Sequence, residues 1–530
     1  MENTDICLIN MPYLSQGGDV MRPLGLACIG SYLVTKGYSV KGYDFSYSMS
    51  SPENLIDKYD LLQYDRVGLS FYNTNASYSF QFARTLKKMK PDIIIIAGGP
   101  HVSAIYERLF TSHPEIDIIV RNEGEFVLEE VLKNLDANKP LNEVKGIAFH
   151  ENGKTIVTPA ADRIAELDNL PTPVFTFEGG IEDDHVYFDR VAGKTKKALG
   201  VVSSRSCPYN CSFCAIILIG RQWRKCSTPK VIADIRKQEA YDKTEYEHIY
   251  FLDANFFVSK QRAIEVSEEL IKHNPNITFS FSTRANQVVK AGVECFKELY
   301  KRGLRAVEIG IESGSDEALA RYGKDSNVKE NEEAIAILQV CNLQLFLDFI
   351  MFDPESTLYD LEQNLNFLRK AGLDTHVPWD HVFSYMTPYL GTKIRDRYED
   401  LLNKTFDDDI LPNPIDLFIN EDVKKIFIEL EKLKTHLEGM EELIMSLDSW
   451  LEKTTEYDSY YAQQKLNIVS LKRMPFVVFQ KLIAQAKKGN EISYENASLI
   501  PIAGRAIELM DVLENIKINI KTNENELVRN

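Results

Sequence analysis

The sequence predicts an α/β protein in three parts. A doubly wound domain, flavodoxin-like or Rossmann-like, spans residues 1–140, and a partial (β/α)6 barrel of the TIM type spans 196–394. A mainly helical C-terminal domain spans 395–530, and 141–195 reads as a linker with short strands. Three observations predict this. Short continuous apolar runs alternate with helical patterns early in the chain. The alternation resumes at about residue 196. After about 395 it gives way to apolar residues at helical spacing.

In the first part the strands are DICLINMP, YSVKGYDF, DRVGLSFY, DIIIIAGG and IDIIVRNEG. Between the first two, LGLACIGSYLVTKG has helical spacing and stops at Gly37. Strands that are apolar throughout are buried on both faces, so the sheet is parallel and covered by helices. Its ligand belongs beyond the carboxyl ends of the strands. Those ends carry SFYNTN (70–75), GGPH (98–101) and NEGE (122–125). The linker holds a strand pair turned at Asn152-Gly153 and the Pro-containing segment ELDNLPTPVF.

The barrel strands are ALGVVSSR, HIYFLDAN, TFSFSTRA, AVEIGIES, LQLFLDFIMF and HVFSYMTPY. Six units make an open barrel, with working groups at the carboxyl ends of its strands. The C-terminal part opens with a long amphipathic helical stretch and ends in the polar tail INIKTNENELVRN.

Composition narrows the function. The 530 residues are 44% hydrophobic and 26% charged, an ordinary globular balance. A formal net charge of −17 argues against a nucleic-acid groove. The chain start lacks a secretory pattern and no apolar run is long enough to span a bilayer. The expected location is therefore the cytoplasm, with no membrane span. Eight cysteines there stay reduced and serve as core residues or metal ligands.

Cys207, Cys211 and Cys214 follow the first barrel strand within SSRSCPYNCSFCAI (203–216). Pro208 opposes helix and Asn210 tolerates a left-handed turn, so three sulfurs can turn toward one point. Three thiolates on a four-iron cluster leave one iron open, the mark of a working site. The alternatives are free thiols, or a structural zinc site completed by Cys226.

CxxxCxxC, with Phe213 before its last cysteine, resembles the radical S-adenosylmethionine enzymes, and more of the chain resembles their cobalamin-dependent branch. The resemblance implies that Cys207, Cys211 and Cys214 hold a [4Fe-4S] cluster, whose open iron binds S-adenosylmethionine and cleaves it to a 5′-deoxyadenosyl radical. GRQWRKCSTPKVIADI (220–235) is similar to that branch's WRxRSPExVVxEI segment, with Cys226 where Arg is common. FLDANFF implies Asp253 at the methionyl amine, STRAN implies Arg284 at the cofactor, and EIGIESGSDEAL implies Glu312 and Ser313 near the nucleoside. MTPYLGT matches PxxGT, whereas the family's GLPGET is FDPEST here, without its glycines. Read structurally, Asp253, Arg284 and Glu312 are helix caps or core ion pairs.

RPLGLACIGSYLVTKGYSVKGYDF (22–45) resembles the opening of the cobalamin-binding domain of that branch. The resemblance implies a cofactor edge built from Ser70, Tyr72, Asn73, Gly98, Gly99, Pro100, His101, Glu123, Gly124 and Glu125. A small-residue turn at Gly98-Gly99 lets backbone approach a bulky ligand, and helix N-termini can take a phosphate. None of the nine histidines sits in a DxHxxG pattern, so no histidine bond to cobalt is expected. Tyr72 or Asn73 is the nearest candidate for the lower face, and His101 for the cofactor's periphery. The rival is a flavodoxin-like domain binding a nucleotide or nothing.

The combination implies a C-methyltransferase that takes hydrogen from an unactivated carbon and transfers methyl from methylcobalamin. Its implied partners are a small-molecule or peptide substrate and an electron donor such as flavodoxin or ferredoxin. Cyclisation, ring contraction and phosphorus methylation are the near alternatives, and a non-catalytic cobalamin or Fe–S sensor the distant one. His376, Asp380 and His381 in HVPWDHVF, and Tyr457, Tyr460 and Tyr461, read as packing rather than chemistry.

Overall fold

The computed structural model describes residues 4–13, 22–180, 186–189, 194–437, 439–441, 444–445, 466 and 468–494. The five apolar runs of the first part form β1 (Ile6–Asn10), β2 (Val40–Asp44), β3 (Arg66–Ser70), β4 (Ile94–Gly98) and β5 (Ile118–Val120). They pair in parallel in the order β2-β1-β3-β4-β5. Alternate residues face opposite sides of the sheet, and both sides are covered. Cys7 and Ile9 join one apolar cluster with Val67 and Leu69, while Ile6 and Leu8 join another with Ile96. The strand order reverses between β1 and β3, which opens the crevice where doubly wound sheets bind ligands. Asn10, Ser70 and Gly98 are register partners, so the three strands end together at that crevice.

The strand pair placed in the linker belongs to this first sheet. β6 (Ile147–Glu151) and β7 (Lys154–Val157) add antiparallel to β5, making seven strands. Both turn residues have positive φ, 51° at Asn152 and 76° at Gly153, as a tight hairpin turn requires.

The second sheet holds β9 (Lys194–Val201), β12 (His248–Phe251), β13 (Thr278–Arg284), β14 (Leu304–Glu312) and β15 (Gln344–Phe349), all parallel. β8 (Val186–Asp189) lies antiparallel on β9 at the open edge. From there Tyr187 stacks on His248 at 3.8 Å and donates to Gln344 Oε1 at 3.3 Å, closing the lower end of the half-barrel. A two-residue ribbon, β10 (Ser204–Arg205) with β11 (Arg224–Lys225), brackets the cysteine loop.

The expected sixth strand differs. HVFSYMTPY begins as the helical turn Asp380–Phe383 and pairs only through one bridge, Tyr385 to Phe352. A short apolar run does not distinguish a buried strand from a buried helical turn.

Helices Glu421–Leu437 and Met474–Lys487 pack onto the barrel core, where Phe352 stacks on Phe479 at 5.4 Å. Tyr457, Tyr460, Tyr461 and the tail INIKTNENELVRN lie outside the described residues.

Candidate functional site

The cysteine loop leaves β10 through Ser206, whose φ is +67°. It is pinned at its centre. Ser212 N donates to the Tyr322 carbonyl at 2.8 Å, and Ile394 N donates to the Ser212 carbonyl at 3.0 Å. Arg284, at the end of β13, lies 3.9 Å over the Tyr209 ring and donates from Nη1 to Cys211 Sγ at 2.9 Å and from Nη2 to the Lys324 carbonyl. Phe213 packs edge-on against Tyr322 at 5.9 Å, inside a satellite core with Met386 and Ile394.

Burial raises the Cys207 thiol and pushes Cys214 up to about 11; Cys211 adds to both as a neighbouring thiol. Neutral thiols lose their protons when a metal binds. Cys226 stands apart, in the barrel core with Val231 and Ile235, where burial pushes it up to about 12. It does not complete a four-cysteine site. Among the described residues no three Cys, His, Asp or Glu side chains close on one ion. Thiols that each serve a different corner of a cluster need no such closure.

At the end of β12, Asp253 is fully engaged. It accepts from Ser203 N at 2.6 Å, Ser203 Oγ at 2.8 Å and Ser204 Oγ at 2.6 Å, so it fixes the strand leading to the cysteines. Two residues on, Asn255 is 1% exposed, and its side chain reaches the Cys207 thiol. Glu312 ends β14 at φ +63° and pairs with Lys324. Ser313 turns inward, donating to Asn364 Oδ1 at 2.7 Å.

Sequence reasoning missed the lumen of the half-barrel. Along β14, Val307, Ile309 and Ile311 enter the helix-side core, which leaves Glu308, Gly310 and Glu312 facing the lumen. Asp348 of β15 faces it too, and Ser282 of β13 donates to Glu308. The enclosing walls, then the charges of Glu308 and Glu312, raise Asp348 well above the usual carboxylate range. The signal was present as two glutamates, Glu308 and Glu312, four positions apart on one face of an otherwise apolar strand.

At the edge of the first sheet, Asn73 and His101 meet, His101 Nδ1 to Asn73 Oδ1 at 2.9 Å. Burial lowers His101 to about 4, so it is neutral, and its enclosed Nε2 has no hydrogen-bond partner among the described residues. Tyr72 is the exposed member of this edge, 5.9 Å from Tyr13. Ser70 is buried, and its carbonyl accepts from Asn75. Gly99 has φ +104°, and a Cβ there would lie 2.4 Å from the Phe71 carbonyl oxygen. Its close approach is to the neighbouring loop. Pro100 opens the helix Pro100–Ile105, while Gly124 packs against Ile29. Glu123 and Glu125 turn away from the crevice to Arg205 and Arg224 of the second domain. Glu125 opens helix Glu125–Asp136.

The two carboxyl edges meet. Helix Pro100–Ile105 packs on the turn Ala215–Ile219 that follows Cys214. A Cβ on Gly391 of PxxGT would lie 3.1 Å from Ala104 Cβ and 3.0 Å from Leu218.

Two family models match the two parts whose edges meet here. The B12 binding domain matches residues 13–132 and the Radical SAM superfamily matches 201–368. The chain belongs to the cobalamin-dependent radical S-adenosylmethionine enzymes. An uncharacterized methyltransferase of Pyrococcus horikoshii is 29% identical over 71% of this chain and 78% of its own. The anaerobic magnesium-protoporphyrin IX monomethyl ester cyclase of Rubrivivax gelatinosus is 28% identical over 73% of this chain and 70% of its own. The cobalamin-dependent S-adenosylmethionine radical enzyme OxsB superposes with a TM-score of 0.72 at 18% identity, over 98% of this chain and 81% of that one, which shows the shared fold.

A radical S-adenosylmethionine enzyme with a B12 domain takes an iron–sulfur cluster, S-adenosylmethionine and cobalamin. The residues present fit these groups. Three thiols share one loop, the buried Asn255 amide lies beside Cys207, and an open lumen lined by carboxyl groups lies below. His376 and His381 meet edge-on at 5.5 Å without converging on a metal site; burial, then the neighbouring His376, lowers His381 to about 3. No helix among the described residues is long and apolar enough to cross a membrane.

Proposed function

We propose that the chain methylates an unactivated carbon. The observation that carries this reading is the contact between the two edges: the cysteine loop and the cobalamin edge pack against each other through Ala215–Ile219 and Pro100–Ile105. Bound there, the cofactors supply a 5′-deoxyadenosyl radical and a transferable methyl group. Cys207, Cys211 and Cys214 hold the cluster, and Arg284 orients Cys211. Glu308 and Glu312 give the lumen a negative wall that suits the cationic S-adenosylmethionine, with Lys324 balancing Glu312. Asp253 acts indirectly, by holding Ser203 and Ser204. Tyr72 or Asn73 would be the nearest side chain to the bound cobalamin's lower face, and the helical C-terminal part shapes the substrate's entry.

The substrate is a small molecule or a peptide, and a one-electron donor such as flavodoxin or ferredoxin reduces the cluster. Eight unpaired cysteines fit the cytoplasm. Cyclase relatives favour a second reading, ring formation begun by the same radical.

The test is anaerobic reconstitution, with about one cobalt and about four irons expected per chain. Incubation with methyl-labelled S-adenosylmethionine, a reductant and a metabolite extract then yields 5′-deoxyadenosine and S-adenosylhomocysteine, with label on carbon. Substrate-dependent 5′-deoxyadenosine without S-adenosylhomocysteine supports ring formation instead. Cys211→Ala abolishes 5′-deoxyadenosine in either case.

A further inference from the structure

The ribbon that carries the chain into Cys207 is built against its own electrostatics. β10 and β11 are two residues each, and Arg205 stands directly opposite Arg224. Like charges directly opposed on antiparallel strands repel, and an isolated two-stranded ribbon is marginal in water. Here two carboxylates from the other domain offset the repulsion: Glu123 bridges both arginines and Glu125 pairs with Arg205. Arg205 Nη2 donates to Glu125 Oε1 at 2.5 Å and Nη1 to Glu123 Oε1 at 3.2 Å. Arg224 Nη1 donates to Glu123 Oε2 at 2.8 Å, and also to the Ile164 carbonyl at 2.7 Å. The ribbon side is tied in turn to the cluster loop: Arg224 Nη2 donates to the hydroxyl of Ser206, the residue before Cys207, at 3.2 Å.

Glu125 is 3% exposed and Arg224 is 7% exposed. Charges this buried are costly unless paired, so each half of the cluster requires the other. The carboxylates come from the loop after β5, at the same carboxyl edge as Asn73 and His101. One residue, Ser206, separates Arg205 from Cys207.

We propose that Glu123, Glu125, Arg205 and Arg224 form a charge clamp that sets the position of the cysteine loop relative to the cobalamin edge, and so the spacing of the two metal centres. They are positioning residues. The inference rests on the reading that both cofactors bind this chain.

Pulsed EPR on the reconstituted protein, measuring the interaction between cob(II)alamin and the reduced cluster, reads that spacing without any substrate. Wild type gives one narrow distance distribution. Glu125→Gln and Arg205→Gln retain cobalt and iron but gain a second, displaced component. The charge swap Glu125→Arg with Arg205→Glu restores the narrow distribution, which loss of packing alone does not explain. If Arg205→Gln sheds iron, Glu125→Gln decides, because it lies in the other domain. Single variants that hold both metals at the native spacing, or a swap that fails to restore it, overturn the clamp alone. A wild type that binds no cobalamin overturns the underlying reading, and the clamp with it.

Discussion

At Cys211 one guanidinium ties the metal loop to the barrel. Arg284 contacts Cys211 Sγ, the Tyr209 ring and the Lys324 carbonyl at once. Partners that orient metal ligands typically contribute 10–100-fold in metal affinity or activity. Arg284→Gln should therefore lose iron to a chelator at roughly 10–100-fold lower concentration than wild type, measured as iron per chain. Arg284→Lys should recover only part of this, because an ammonium cannot make the forked contact. Gly99 is a second single-residue test. Its positive φ and the Phe71 carbonyl 2.4 Å from a would-be Cβ leave no room for alanine. Gly99→Ala should cost about 1–3 kcal/mol or more, read by denaturant unfolding, and should weaken cobalamin binding. The sequence showed Arg284 and Gly99 to be special but not why. Spacing cannot reveal that Arg284 reaches a cysteine 73 positions away, or that Gly99 makes room for the Phe71 carbonyl.

Elements were legible where their periodicity was long or their turns were chemically marked. β1 to β5 follow from continuous apolar runs, and the β6–β7 hairpin from Asn152-Gly153. Sheet membership was harder: the hairpin extends the first sheet, and HVFSYMTPY became a helical turn with one bridge. Both outcomes depend on partners distant in sequence. One such partnership has a pH signature. His113 stacks on Phe80 and lies 3.0 Å from Asp409 and 3.3 Å from Glu115. Burial opposes its charge, but Asp409 and Glu115 prevail and raise it to about 9. A group whose folded pKa is raised stabilises fully below its ordinary value, near 6.5, and the contribution is lost as pH rises through about 9. The melting temperature of wild type should accordingly exceed that of His113→Gln at pH 6, and the difference should shrink above pH 9. A gap that is constant across this range would show that His113 contributes packing alone.

The whole molecule is held by contacts that cross between its parts. Leu390 of the PxxGT segment sits in the core of the first domain. Arg108 forms a two-pronged pair with Asp408 at 2.6 and 2.7 Å, and Arg22 reaches Asp242 at 3.2 Å. These joints connect the cobalamin domain to the barrel and to the segment that follows it, so cobalamin should stabilise more than the domain that holds it. A ligand that binds only the folded state at a hundred times its Kd adds about 2.7 kcal/mol. How far that gain spreads depends on which hydrogen bonds open together. The ribbon at 204–225 depends on Glu123 and Glu125, so it belongs to the same opening unit as the cobalamin edge. Hydrogen exchange on apo protein with added cobalamin, before any cluster is built, should therefore slow at β10, β11 and the cysteine loop as well as at the edge of the first sheet. The helices Lys260–His273 and Val328–Val340, on the far side of the barrel sheet, serve as internal controls and should change little. Slowing confined to the first domain would mean that the two parts open independently, and that their shared interface does not transmit cobalamin binding to the metal loop.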